Sequence, residues 1–384
     1  MNWSGKVAIV GAYESPRRKA PNVHPYTIQA ECIQAALAEA GLTIADVDGF
    51  CTATGLPGEG GTQMNILEIA DWMGITPLYH DSTDTGGTAP ITHIGHAASA
   101  IACGDADVVV VSYAGCSLSA GDFDSTPPAW GAWQYEAPYG INIAASYGLA
   151  AQRHMHEFGT TSEHLAKIAV ACRANAALNP DARFRKDMTV EEVLASPMIA
   201  DPIHRNDCCC VTDSGGAVVL MSAERARSLG GKKPVYVLGF GEAIEQYHMS
   251  QMPDFTRTVA HVSGQRAMKM AGVTHGEIDC LQLYDSFTIT VLLTLEALGF
   301  CSKGEGGAFV DSGAILPAGQ FPINTDGGGM SSNHPGRRGI FTVIESVRQL
   351  RGESPGVQLD NPRIALAHGT GGSLSNTSTL VLGI

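Results

Sequence analysis

Ala40-Gly41-Leu42-Thr43-Ile44-Ala45-Asp46-Val47-Asp48 and Ala271-Gly272-Val273-Thr274-His275-Gly276-Glu277-Ile278-Asp279 read as one phrase written twice, 231 residues apart. A second pair follows in the same order, Thr83-Asp84-Thr85-Gly86-Gly87 and Thr325-Asp326-Gly327-Gly328-Gly329, 242 residues apart. Self-similarity at a long, nearly fixed offset marks a repeated structural unit. Each copy supplies a helix, an Ala-Gly turn that ends it, a strand, and then a TDxGG turn. The expectation is a duplicated α/β core.

The segments around these phrases alternate as an α/β protein requires. Residues 6–11 (KVAIVG) and 47–51 read as strands, and residues 26–40 as an amphipathic helix with Ile28, Cys32, Ala35, Ala36 and Ala40 near one face. A small-residue helix is expected over 92–103. Residues 107–113 (DVVVVSY) are the clearest strand: four consecutive valines need cover on both faces. Residues 216–222 and 234–240 are two more strands, and 363–367 another.

Residues 114–214 read differently. They hold an aromatic, turn-rich run over 127–139 with Trp130 and Trp133, then two polar helices over 160–177 and 189–195. Each helix opens with a capping-box pattern, Thr160 with Glu163 and Thr189 with Glu192. The segment is expected to be an insertion lying over the sheet.

Composition narrows the function. With 38 acidic and 24 basic residues, a net charge of −14 disfavours a nucleic-acid surface. No run of 18 apolar residues points to a membrane span, and no signal peptide is recognisable, so a cytoplasmic location is expected. Ten cysteines in that setting read as reduced thiols. Three are adjacent at 208–210, the rest are scattered, and no Cys-x-x-Cys pair offers a zinc scaffold. No metal is expected. Gly239-Phe240-Gly241 lacks the third glycine of a dinucleotide loop.

Residues 155–179, 194–220, 283–307 and 321–353, together with the duplicated core, resemble the thiolase superfamily. The likeness is to its sterol carrier protein-x and lipid-transfer-protein branch. It implies a duplicated αβαβα layered core with an inserted loop domain: residues 1–117, completed by 216–248, as the N-terminal half; 118–215 as the insertion; 249–384 as the C-terminal half. Thiolases of this superfamily use a nucleophilic cysteine at a helix N-terminus in the first half. The matching position here is Gly87, beside Thr88, and no cysteine stands between Cys51 and Cys103.

Three further family motifs imply site residues. Tyr284-Asp285-Ser286-Phe287 occupies the place of an HDCF-like motif, with Tyr284 as an oxyanion donor or, alternatively, a core tyrosine. Asn333-His334-Pro335-Gly336 stands for the GHP motif, with His334 able to share the same oxygen. Ala367-His368-Gly369-Thr370-Gly371-Gly372 lies near the family's CxG turn, where His368 is either a general acid/base or a loop cap. Both catalytic cysteines are missing. That combination resembles the steroid side-chain-cleaving aldolases of the branch, though these carry tyrosine where this chain has His334.

The resemblance implies retro-aldol cleavage of a bulky β-hydroxyacyl-CoA without a cysteine nucleophile. Tyr284 and His334 would bind the enolate oxygen, with His368 or Asp285 handling the hydroxyl proton. Gly87, Thr88, Asn333, Gly328, Gly329, Gly371 and Gly372 would line the substrate. No covalent cofactor is expected; coenzyme A enters as part of the substrate, near Arg153, His154, His156, Arg173, Arg183, Arg185 and Lys186. A homodimer joined by a zinc-ribbon/OB-fold accessory protein into a heterotetramer is expected. Two alternatives stand: a thiolase-type acyltransferase, and a non-catalytic acyl-CoA or lipid-binding homologue.

Overall fold

The computed structural model describes residues 2–54, 59–60, 64–121, 131 and 133–384. The first part of the aromatic run, with Trp130, lies outside them. The N-terminal half runs β1 (Val7–Glu14), α1 (Pro25–Glu39), β2 (Gly49–Cys51), α2 (Asn65–Met73), β3 (Tyr79–Asp81), α3 (Ala89–Cys103) and β4 (Val108–Cys116). The insertion carries α4 (Ser117–Ala120), α5 (Trp133–Glu136), α6 (Ile143–Phe158), α7 (Ser162–Leu178) and α8 (Val190–Leu194). It ends in a ribbon of β5 (Met198–Ala200) and β6 (Ile203–His204). Then β7 (Asp213–Ser222) and α9 (Ala223–Ser228) complete the first half. The second half consists of β8 (Val235–Ile244), α10 (Ala260–Ala271), β9 (Cys280–Leu283), α11 (Thr288–Leu298), α12 (Gly306–Asp311), α13 (Gly339–Arg351), β10 (Ile364–Gly371) and β11 (Asn376–Gly383).

The duplication is visible strand by strand. One sheet has the order β3-β2-β4-β7-β1-β8-β11-β10-β9. In the first half β2 and β4 are parallel, then β4–β7 and β7–β1 antiparallel. In the second, β9 and β10 are parallel, then β10–β11 and β11–β8 antiparallel. A parallel bridge between Leu281 and Ile323 stands where β3 stands in the first copy. The two repeated phrases lead into β2 and β9, and the TDxGG turns come shortly before α3 and α13.

Three apolar clusters define the layers. Val109 and Val111 of the four-valine run join α3 and α13 between the halves, while Val108 and Val110 pack beneath α1. A third cluster gathers α10, α11 and the insertion's α6 and α7 over the other face of the second half. The valines are thus covered on both sides, as their run requires.

Two expectations need correction. The boundary at 248/249 groups β8 with the wrong half: β8 pairs with β11 along its length but with β1 only at Ala8–Tyr236 and Ile9–Val235. Hydrogen bonding assigns β8 to the second half. The cap of α7 is also one residue later than expected, at Thr161 with His164. Thr160 is already engaged, its hydroxyl 2.8 Å from the buried His154 Nδ1. The Thr189–Glu192 box forms as expected.

Candidate active site

Tyr284 leaves the end of β9. Along that strand Leu281 and Leu283 face the cluster beneath α10 and α11, so the alternating positions Gln282 and Tyr284 turn towards the central helices. The Tyr284 hydroxyl donates to the Gly336 carbonyl at 3.0 Å and lies 3.1 Å from His334 Nε2. The two rings meet edge to face, centroids 5.5 Å apart at 88°. His334 is half-buried, and its backbone is held on β7's approach: its N–H donates to Thr212 Oγ1 at 3.0 Å, and its carbonyl accepts the Thr212 N–H at 3.3 Å.

Both groups are neutral near pH 7. Burial pushes the Tyr284 phenol above its usual range. Burial, helped by the nearby Arg338 guanidinium, pushes His334 down to about 4. A neutral imidazole and a phenol each carry a single N–H or O–H, and the phenol's is held by the Gly336 carbonyl, so it must turn from that carbonyl to reach a substrate oxygen.

Gly87 belongs to the tight turn Gly86–Thr88 that opens α3. A Cβ at Gly87 would lie 2.4 Å from Tyr284 Oη and 2.7 Å from the Thr370 carbonyl. The phenol therefore fills the space that a side chain at this position would need. Thr88 beside it is buried, with no partner for its hydroxyl among the described residues.

Other expected site residues are placed elsewhere. His368 lies on β10 between Ala367 and Gly369, which face α3; by alternation its ring takes the opposite face, with Leu366 and its neighbour Leu283. There its Nδ1 sits 2.8 Å from Thr379 Oγ1, and burial alone pushes its pKa down to about 3. It is across the sheet from Tyr284. Asp285 is fully buried and accepts the N–H groups of Gly329 and Met330 at 2.7 and 3.1 Å, with Arg338 Nε 3.2 Å away. Burial holds its carboxyl up at about 6 against the pull of Arg338. Its oxygens hold the Gly329–Met330 turn, and Oδ1 and the His334 ring border the same spot, 2.9 and 3.1 Å from where a Cβ at Gly329 would lie.

The expected ligand-lining residues divide similarly. The Asn333 amide donates to Glu14 and Ser214 and accepts from Thr212, so it anchors the turn to β1 and β7. The N–H groups of Gly328 and Gly329 go to Asp326 and Asp285. A Cβ at Gly328 would come 2.1 Å from Asp285, which explains a glycine there. Gly371 packs against the Thr85 carbonyl, and the Gly372 carbonyl accepts the Tyr147 hydroxyl at 3.3 Å. Among the basic residues expected near coenzyme A, His154 is buried between Thr160 and Glu296, hence structural. Arg153 pairs with Glu157 on the helix surface.

A cavity of about 200 Å³ lies between α7 and the turn carrying Met330 and Ser331. Arg173, Phe184, Arg205 and Cys209 are among its walls. Arg173 is fixed by Ser331 Oγ at 2.9 Å and lies over Phe184. The Cys209 N–H donates to the Ser286 carbonyl and the Cys210 N–H to that of Gly329, so this segment runs along both site turns. All ten cysteines are free thiols. Among the described residues no group of three His, Cys, Asp or Glu side chains is arranged for a metal, and no helix is long and apolar enough to cross a membrane.

Sequence reasoning missed Tyr147, whose ring stacks on Phe287 at 4.3 Å, and the buried pair Arg337–Arg338. Two adjacent arginines directly after a Gly-rich turn, in an acidic chain, were the available signal.

Residues 7–224 match the thiolase N-terminal domain and residues 241–384 a thiolase C-terminal domain-like family. The chain belongs to the thiolase superfamily. It is 34% identical to the 17-hydroxy-3-oxo-4-pregnene-20-carboxyl-CoA lyase of Mycobacterium tuberculosis, over 99% of this chain and 100% of that one. It is equally 34% identical to an acetyl-CoA acetyltransferase of Methanothermobacter thermautotrophicus, over 96% of each chain. Among solved structures, the Ltp2-ChsH2(DUF35) aldolase superposes with a TM-score of 0.90 at 32% identity, covering 100% of this chain and 99% of that one.

Proposed function

We propose that this protein is a carbon–carbon lyase that cleaves a bulky, steroid-like β-hydroxyacyl-CoA by a retro-aldol reaction, without a cysteine nucleophile. Relatives named as a lyase and an aldolase support the reaction class, and the acetyltransferase relative supplies the competing one. One observation favours the lyase: the Tyr284 phenol occupies the space a thiol at position 87 would need. An acyl-enzyme has no attachment point there.

In a retro-aldol step a base takes the β-hydroxyl proton, the Cα–Cβ bond breaks to leave a carbonyl product, and its electrons move onto the thioester oxygen. Protonation at Cα then yields the shortened acyl-CoA. Tyr284 and His334 are the donors for that oxygen. Each is neutral and keeps its one proton; the Tyr284 O–H would exchange the Gly336 carbonyl for the enolate oxygen, and removing one such donor typically costs about 3 kcal/mol. His368, on the other face of the sheet, and Asp285, engaged by the Gly329 and Met330 N–H groups, are not assigned the hydroxyl proton. The cavity beside Cys209, with Arg173 and Arg205 on its walls, is assigned to the CoA-bearing end of the substrate.

Two partners belong to this reading: a second copy of the chain, and a DUF35-type accessory protein of the kind named with the aldolase neighbour. The test is incubation of the purified chain, with and without such a partner, with a steroid β-hydroxyacyl-CoA, and separately with a β-ketoacyl-CoA plus coenzyme A. Release of a carbonyl product and a shortened acyl-CoA is expected. Thiolysis of the ketoacyl substrate through a trapped acyl-enzyme would instead establish the acyltransferase.

A further inference from the structure

The two repeated TDxGG turns meet at one pair of neighbouring side chains. Arg337 and Arg338 follow the His334 turn and lead into α13, and both are buried, at 1% and 0% exposure. They reach in different directions. Arg337 forks onto Glu59 at 2.9 and 3.1 Å, and also grips Asp84 at 2.5 and 3.2 Å. Arg338 takes both oxygens of Asp326 at 2.8 Å and donates to the Asn333 carbonyl at 3.0 Å. Its Nε stands 3.2 Å from Asp285.

Asp84 and Asp326 are the same position of the duplicated turn. Each also accepts the N–H of the residue two further on, Gly86 and Gly328, both at 2.9 Å. The halves thus present one local structure twice, and consecutive arginines hold one copy each. Arg337 holds the turn that sets Gly87. Arg338 holds the turn beneath His334, together with Asp285 and Asn333, the residues directly after Tyr284 and before His334.

We propose that Arg337 and Arg338 are a positioning pair: they lock the equivalent turns of the two halves to each other and so set the spacing of Gly87, Tyr284 and His334. This rests on the reading of Tyr284 and His334 as the enolate-binding pair and adds the device that holds them in register. A guanidinium suits the task because its planar fork binds carboxylates in a fixed orientation, which a lysine ammonium does not.

The test compares Arg337→Lys and Arg338→Lys, which keep the charge and lose the fork, with the wild-type chain and its accessory partner. Two readouts are taken on folded protein. In the first, kcat for β-hydroxyacyl-CoA cleavage falls about 10²-fold with KM unchanged, the cost of a misplaced donor. In the second, protein labelled with ¹³C in the tyrosine ring and ¹⁵N in histidine shows shifted Tyr284 and His334 resonances, assigned through Tyr284→Phe and His334→Gln. Lowered melting temperatures with both resonances and kcat unmoved would reduce the pair to a structural role and overturn the proposal. The resonances also separate the two readings. If the wild type cleaves nothing but the resonances move, the positioning stands and the activity falls. If Arg338→Lys does not fold, the charge-balanced Arg338→Gln/Asp326→Asn variant carries the same comparison.

Discussion

Tyr284 and Gly87 act as one unit, because the phenol of the first needs the missing Cβ of the second. Tyr284→Phe keeps the ring and removes the donor; kcat should fall about 10²–10³-fold, and losing the bonds to the Gly336 carbonyl and His334 should cost about 1–3 kcal/mol of stability. Gly87→Ala puts a methyl 2.4 Å from the phenol oxygen, and overpacking of this kind costs about 1–3 kcal/mol. Chemical denaturation should show that loss, and turnover should drop with it. His368 supports a pH prediction. Its folded pKa, pushed by burial to about 3, lies below the unfolded value of about 6.5, so the unfolded chain binds the extra proton as the medium acidifies. Its contribution is complete above that unfolded value and is lost as pH falls towards 3. Asp285 and Glu345, whose carboxyls burial holds up at about 6 and 7, pull the other way, so the comparison must be with His368→Gln. The stability difference between wild type and that variant should shrink by about 2 kcal/mol between pH 7 and pH 5, measured by urea unfolding at both.

At the scale of elements, the strands at 107–113 and 216–222 and the helices at 26–40 and 160–177 were legible in sequence, whereas α6, α11 and α13 were not read, and element ends were uncertain. The cap of α7 shows why. By local signal Thr160 is favoured, with Glu163 three residues on, but His154 takes the Thr160 hydroxyl into a buried network with Glu296, leaving the cap to Thr161. Thr161→Ala should therefore cost about 1 kcal/mol as a lost cap. Thr160→Ala should cost about 1–3 kcal/mol by leaving a buried ring nitrogen unpaired. Thermal melts of the two variants would reverse the assignment if only Thr161→Ala proved neutral. The face chosen by His368 is a related case. Both faces of β10 are buried, so apolar alternation gave no sign of which one its ring would take.

At the scale of the whole molecule, the duplicated phrases at 40–48 and 271–279 made the repeat readable, since each copy carries its own helix stop and strand. That repetition and the missing cysteine at 87 were determined by sequence alone: both are statements about residue identity along a line. Tertiary structure decided that the absence is an exclusion, because only packing brings the Tyr284 phenol, 197 positions away in the chain, against Gly87. It also decided that the His368 ring takes the other face of the sheet, that Asp285 is tied to the Gly329–Met330 turn, and that consecutive arginines grip the equivalent aspartates of the two halves. Those facts depend on which side chains share a buried space, and local periodicity carries no information about partners so distant in the chain.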